Sequence, residues 1–348
     1  MDLVLTIGPW QSIVASAALR QADISSDRVI ALDLCNPGEE TLVDACRRIH
    51  LSQGHRFLGG VNAASCAGRL FRKEQRDLCR TLQKVERIWT FALGGRGAGL
   101  IDHLPQVPIR LYEDGLLSGS AEFIYGLRWK GVRASGLSFL KTYIMKGIQY
   151  RRPWFRLPGF SRIEAKYHFL EELYEGQEPF EGPQVRIDPK IFCKVLNGDW
   201  LPSIEINPSI APRALVLGSN FVNAGRMLPS LEYGVIEKTI ERLAGEYEVW
   251  WKPHPRADPI FTRYLRLKYP FLQVIDKALH WVPVECLVQP LDFRLLISPM
   301  SSSLFYSKLL HGIEVRISPG FREILFAQDA KHFQDVYLIL EKHVPLLE

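Results

Sequence analysis

"ALVLGSNFVNAGRMLPSLEYGVIEKTIERLAGEYEVWWKPHPR", residues 214–256, falls into three chemically distinct blocks. The apolar run Ala214 to Leu217 stops at Gly218, as a buried strand does at a tight turn. A longer block follows, in which Val235, Ile236, Ile240 and Leu243 share one helical face and Gly245 closes the helix. "YEVWWK" (247–252) is then a second strand, and it delivers His254 between Pro253 and Pro255. Strand, helix and strand in that order form the unit of a parallel sheet wound by helices.

The same grammar continues on both sides. Downstream come the strand "FLQVID" (271–276), a short "VECLV" element (284–288) and the strand "FRLLIS" (293–298). A serine-rich turn then opens into "LFYSKLLHG" (304–312), and 321–344 reads as one or two amphipathic helices. Upstream, strands are expected at 3–8, 28–34, 56–61, 87–95 and 109–115, with helical stretches at 11–22 and 68–85 between them. The Pro- and Gly-containing segments 174–190 and 196–213 separate the two series. The expected class is α/β: two Rossmann-like domains facing a cleft, of the glycosyltransferase-B type, over 1–185 and 186–325. A C-terminal helical tail over 326–348 completes it. In that fold ligands meet the carboxyl ends of the strands.

Bulk properties narrow the classes. The 348 residues exceed what one core usually organises, and 47% hydrophobic with 23% charged content is that of an ordinary globular protein. No apolar run is long enough to span a bilayer. "MDLVLTIGPWQ" lacks the basic flank of a secretion signal and reads as a buried first strand. The six cysteines show no metal-ligand spacing, so reduced thiols in the cytoplasm are expected. The net charge is +5, yet between Arg128 and Lys166 ten basic residues face a single acid, Glu164, with aromatics interleaved. Such a segment suits an anionic glycan, a membrane surface or a nucleic acid, and equally a solvated, partly helical face.

Four turns sit where chemistry would occur. Gly8-Pro9-Trp10-Gln11 follows the first strand, where backbone N–H groups can hold an anion or a polar sugar group. Glu113-Asp114-Gly115 ends the strand at 109, and adjacent side chains there point to opposite sides. One carboxylate can thus act as a general base on a hydroxyl, unless the turn simply faces water. His254, with Lys252 and Arg256 beside it, is preorganised for a phosphate more than for a metal, which would need further ligands. Ser301, Ser302 and Ser303 head a helix, where hydroxyls and free N–H groups either bind phosphate or cap the helix. Glu285 lies in an apolar stretch, as an acceptor for a ribose diol or as a surface residue.

In this order the loops resemble the bacterial sialyltransferases, particularly the lipooligosaccharide sialyltransferase and capsular polysialyltransferase group. That family carries a (D/E)(D/E)G motif, here Glu113-Asp114-Gly115, then HP, here His254-Pro255, and SS, here Ser302-Ser303. The similarity spans most of the second half, from 215 through "VPVECLV" to "SSSLF", and rests in the first half on "GPWQ" and "EDG". It implies inverting, metal-independent transfer of sialic acid, or a related nonulosonic acid, from its CMP conjugate to a cell-surface glycan. On that resemblance Asp114 is the base and His254 stabilises or protonates the leaving phosphate. Ser301, Ser302, Ser303, Pro255, Lys252 and Gly218 belong to the donor side, and Glu285 binds the ribose. Gly8, Gln11, Glu113 and Gly115 belong to the acceptor side. No cofactor or metal is expected. "GSN" at 218–220 departs from the glycine–glutamine expected in that turn and leaves the detail of donor binding open.

The expected partners are a CMP-sugar and a glycan acceptor, anionic or lipid-linked, with 128–166 available for peripheral contact at the inner membrane. Nucleic acid is disfavoured. Competing readings are a CDP-glycerol glycerophosphotransferase, a CMP-Kdo transferase, a hexosyltransferase using a UDP-sugar, or a non-catalytic binder of anionic polymers.

Overall fold

The computed structural model of the chain describes residues 1–33, 47–50, 84–92, 106–115, 162–170, 182–198, 209–223, 225–327 and 331–347, with positions 82, 101 and 104. It divides into two units, Met1–Val195 and Leu196–Glu348.

The first unit is built on β1 (Asp2–Thr6), β2 (Val29–Asp33), β3 (Arg47–His50), β4 (Arg87–Thr90), β5 (Ile109–Tyr112), β6 (Ile163–His168) and β7 (Gln184–Arg186). Their spatial order is β3-β2-β1-β4-β5-β6-β7, and every neighbouring pair is parallel. All carboxyl ends therefore lie along one edge, and the chain reverses its direction of winding between β1 and β4. Helix α1 (Pro9–Gln21) begins with proline in its first turn, where a missing N–H costs nothing. Its buried face, from Ser12 to Leu19, is mostly small or branched apolar residues, so it packs closely against the sheet.

Three of the seven strands escaped the sequence reading. β3 and β6 are rich in charged residues, and β7 lies inside the segment read as a connection. The expected strand 56–61, and nearly all of the expected helix 68–85, lie outside the described residues. Helix α2 (Pro189–Leu196) follows β7, and the boundary falls at Val195/Leu196, not at 185/186, because β7 pairs with β6.

Two cations of the basic stretch are also accounted for. Arg162 donates to the carbonyls of Ile101 (2.9 Å), Leu104 (2.5 Å) and Val107 (2.7 Å), and Lys166 is buried in β6. Arg162 thus ties residues 101–107 to the start of β6 and Lys166 is buried, so these two are not part of an exposed basic face. Residues 128–161 lie outside the described residues.

The second unit repeats the pattern with β8 (Arg213–Leu217), β9 (Glu248–Lys252), β10 (Gln273–Val274), β11 (Phe293–Ser298) and β12 (Glu314–Ile317). The order is β10-β9-β8-β11-β12, again parallel throughout. Helices α3 (Pro229–Leu243), α4 (Pro259–Lys268) and α5 (Ser303–His311) connect the strands, and α6 (Phe321–Phe326) and α7 (Lys331–His343) complete the unit.

The core joins Val216 of β8, Trp251 of β9, Ile236 and Ile240 of α3, and Phe261 and Leu265 of α4. Each large apolar side chain so buried contributes about 2 kcal/mol. Asp258 caps α4 by accepting from the N–H of Ile260 (2.9 Å). No helix among the described residues is long and apolar enough to cross a membrane.

Candidate functional site

In the first unit the site elements meet at the carboxyl ends of β1 and β5. Gly8 is the N-cap of α1, and Gln11, one turn in, donates from Nε2 to Oδ1 of Asp114 just beyond β5. Asp114 is half-buried. Burial pushes its carboxyl up to about 7 against the opposing effect of the Gln11 hydrogen bond, so it exchanges a proton near neutrality. Gly115 turns the chain with φ of 69°, a left-handed conformation that disfavours other residues.

The neighbouring acid plays a different part. Glu113 is fully buried and accepts from the N–H groups of Phe169 (2.8 Å) and Leu170 (3.0 Å), fixing the turn after β6. Phe169 stacks on Phe192 of α2 (4.6 Å), and Phe192 also meets Trp10 of α1 (5.6 Å). The two acids thus divide as the alternation of a strand requires: Glu113 braces the loops inside, while Asp114 carries the titratable group.

The second unit gathers its loops at β8, β9 and β11, around its own reversal point between β8 and β11. Gly218 ends β8, and its N–H bonds to the carbonyl of Lys252 (2.9 Å). A Cβ at Gly218 would lie 2.8 Å from Trp251 Cη2 and 3.1 Å from the backbone nitrogen of His254. Only glycine lets the two loops approach this closely.

His254 heads a tight turn closed by the Ala257 N–H on its carbonyl (2.8 Å). Its Nδ1 accepts from the N–H of Arg256 (3.1 Å), which places the proton of the neutral ring on Nε2. Burial, with the Arg256 and Lys252 charges, lowers its pKa to about 4. The ring is therefore a neutral donor at physiological pH. Pro253 is buried, whereas Pro255 is partly exposed beside the ring.

Lys252 is nearly inaccessible and donates to the carbonyl of His280 (2.6 Å). Burial lowers its pKa to about 8, although the Glu285 charge acts to raise it. Glu285 is buried in a 3-10 turn (Val284–Cys286) and is not a surface residue. Burial raises its pKa, opposed by its own backbone N–H, the Ser303 hydroxyl and the Lys252 charge. The backbone carbonyl of Glu285 accepts from His311 Nε2 (2.7 Å).

The serines separate by task. Ser301 Oγ accepts from the Ser303 N–H (3.2 Å), which is capping, and the Ser303 hydroxyl turns to Glu285. Ser302 occupies the N-cap position of α5 without capping it, so its hydroxyl is the one left to offer.

One anchor was missed in the sequence. Glu232, in the first turn of α3, accepts from the Ser219 hydroxyl and from the Val222 N–H (2.8 Å), holding the loop after Gly218. An acid in the first turn of a helix that follows a glycine loop was the available signal. Among the described residues no group of three or more His, Cys, Asp or Glu stands together as a metal set.

A family model described as "Alpha-2,8-polysialyltransferase (POLYST)" matches residues 97–318. No curated protein matches the chain. Among solved structures the chain is similar to a putative UDP-N-acetylglucosamine 2-epimerase from Listeria monocytogenes, with TM-score 0.53 and 10% identity over 91% of this chain and 78% of that one. It is also similar to spinosyn forosaminyltransferase SpnP, with TM-score 0.51 and 11% identity over 100% and 85%. A UDP-glucose: anthocyanidin 3-O-glucosyltransferase in complex with UDP gives TM-score 0.50 and 13% identity over 99% and 85%. At these identities the likeness is one of fold, the two-domain glycosyltransferase-B architecture.

Proposed function

We propose, from the premise that the chain belongs to the alpha-2,8-polysialyltransferase family and is a glycosyltransferase, that it transfers sialic acid, or a related nonulosonic acid, from its CMP conjugate to a hydroxyl of a glycan. The transfer inverts the anomeric centre and uses no metal or cofactor. It takes place in the cytoplasm at the inner membrane, on an anionic or lipid-linked acceptor.

The observation that carries this reading is the Asp114 carboxyl at the end of β5, poised near neutrality by burial and held by Gln11. A base with a pKa close to the working pH is the most effective for taking a proton from a sugar hydroxyl. On the donor side, the oxocarbenium-like transition state carries its own positive charge, so the departing phosphate is where the protein stabilises most. The Nε2–H of neutral His254 and the Ser302 hydroxyl are the donors assigned to that phosphate. Lys252 adds positive charge from beneath, while Gly218 lets the two loops close together. Glu285 is assigned to the ribose, which would have to displace its bond with Ser303.

The test is a product assay of the purified chain with a sialylated oligosaccharide and four donors: CMP-Neu5Ac, CMP-Kdo, CDP-glycerol and UDP-glucose. It is run with and without a chelator, beside Asp114→Asn. Transfer from CMP-Neu5Ac alone, indifferent to chelator and reduced about a thousandfold in the variant, supports the proposal. Transfer from another donor, or full activity in the variant, overturns it.

A further inference from the structure

Helix α4 leaves an apolar stripe in solvent. Phe261 and Leu265 are buried against the sheet, yet Ile260 is 71% exposed, Tyr264 43% and Leu267 77%. These three stand at i, i+4 and i+7, on the face turned away from the core. Phe271, just past the helix end, is 46% exposed as well. A helix with one apolar face needs only the core beneath it; this one has a second apolar face that the core does not use.

Cations border the stripe. Arg263 and Arg266 are exposed on α4, and exposed Arg256 precedes it. Lys268 lies over the rings of Tyr264 (5.8 Å) and Tyr269 (5.1 Å) and pairs with Glu237 of α3 (2.6 Å). From Arg256 to Phe271 the only acid is Asp258, and it is spent on capping. Apolar side chains in a row with exposed guanidinium groups alongside match the boundary of an anionic bilayer. There acyl chains lie just beneath a layer of phosphates.

We propose that α4, with Phe271, is a membrane-surface contact that inserts Ile260, Tyr264, Leu267 and Phe271 at the headgroup level of an anionic bilayer. Arg263 and Arg266 bind lipid phosphates. These residues are distinct in sequence from the 128–166 stretch. Because α4 starts directly after the His254 turn, this contact would seat the donor loop close to the membrane.

The test is flotation of the full-length protein with vesicles of phosphatidylcholine alone, and with vesicles containing a third phosphatidylglycerol. The wild type should float with the anionic vesicles and not with the neutral ones. Ile260→Asn/Leu267→Asn should weaken flotation about tenfold or more, and Arg263→Glu/Arg266→Glu should abolish it at physiological salt. Both double variants alter exposed positions, so unchanged melting temperatures verify their folds. Equal flotation of either variant and wild type, or no flotation of the wild type, overturns the proposal. So does a fall from dimer to monomer in the Ile260→Asn/Leu267→Asn variant on light scattering, which would make the stripe a contact between copies.

Discussion

Gln11 donates from its side-chain amide to Asp114, a hydrogen bond across 103 positions of sequence that ties the first turn of α1 to the end of β5. The bond favours the carboxylate and burial opposes it; burial wins, and the group titrates at about 7. If Asp114 is the base, kcat/KM should rise with pH along a limb through 7, and the loss of the Lys252 charge should turn it down above about 8. Gln11→Leu removes the opposing hydrogen bond, so the limb should move to higher pH. A profile that stays in place in this variant would detach Asp114 from the reaction.

The same shift has a consequence for stability. The folded pKa lies above the ordinary value of 3.8, so the stabilisation that goes with it is complete below pH 3.8 and is lost as pH rises through 7. Asp114→Asn cannot ionise and should escape that loss. Its melting temperature should match the wild type near pH 4 and exceed it at pH 8, as calorimetric scans at the two values would record.

His254 should be neutral throughout the range in which an ordinary histidine titrates. Carbon–proton NMR spectra of the ring should show its midpoint near 4 and the Nε2–H tautomer above it. A midpoint near 6.5 would contradict the buried, charge-flanked environment. On the proposed function, His254→Ala should also lose calorimetric binding of CMP.

Gly218→Ala places a methyl group against Trp251 and the His254 backbone. The ring can shift only by disturbing the core, and the backbone contact has no flexible end to yield. Destabilisation of about 1–3 kcal/mol is expected in urea titrations, with CMP affinity falling because the His254 turn is displaced. Alanine at Gly234, inside α3 where added bulk meets open space, is the control: it should raise stability by about 0.5–1 kcal/mol through helix propensity and leave CMP affinity unchanged.

Lys252 and Glu285 are both buried and of opposite charge. Lys252→Met leaves an uncompensated carboxyl inside and should cost about 3 kcal/mol or more. Adding Glu285→Gln should restore part of that loss. Denaturant midpoints of the two single variants and the double variant form the cycle that reads the coupling. Strictly additive losses would show that the two charges do not sense each other.

The strands with branched or aromatic apolar residues, β1, β2, β8, β9 and β11, were legible because a parallel sheet buries both faces and writes them as continuous apolar runs. β6, "IEAKYH", defeated that rule because Lys166 is buried within it, and β7 because three residues at a sheet edge carry no periodicity. β12 was missed for a similar reason: "EVRI" is short and alternates charged with apolar residues. The site loops could be located because turn residues stop each strand at the same edge. Their internal division of labour could not. That Glu113 braces backbone groups while Asp114 titrates, and that Ser301 caps while Ser303 turns to Glu285, depends on partners distant in sequence.

The central place of β8 also governs when the loops at the carboxyl edge of the second sheet can come together. β8 is made early, and β9 and β10 assemble on one side of it, but β11 follows only after residues 253–292 and inserts on the other. A chain emerging from the ribosome thus carries the His254 turn well before the serines that would complete it. Until 293–298 has left the exit tunnel, one flank of β8 stays open to any passing strand. Synthesis pauses before that point would expose an unpaired, apolar edge, and a chaperone that binds extended apolar segments would find it there.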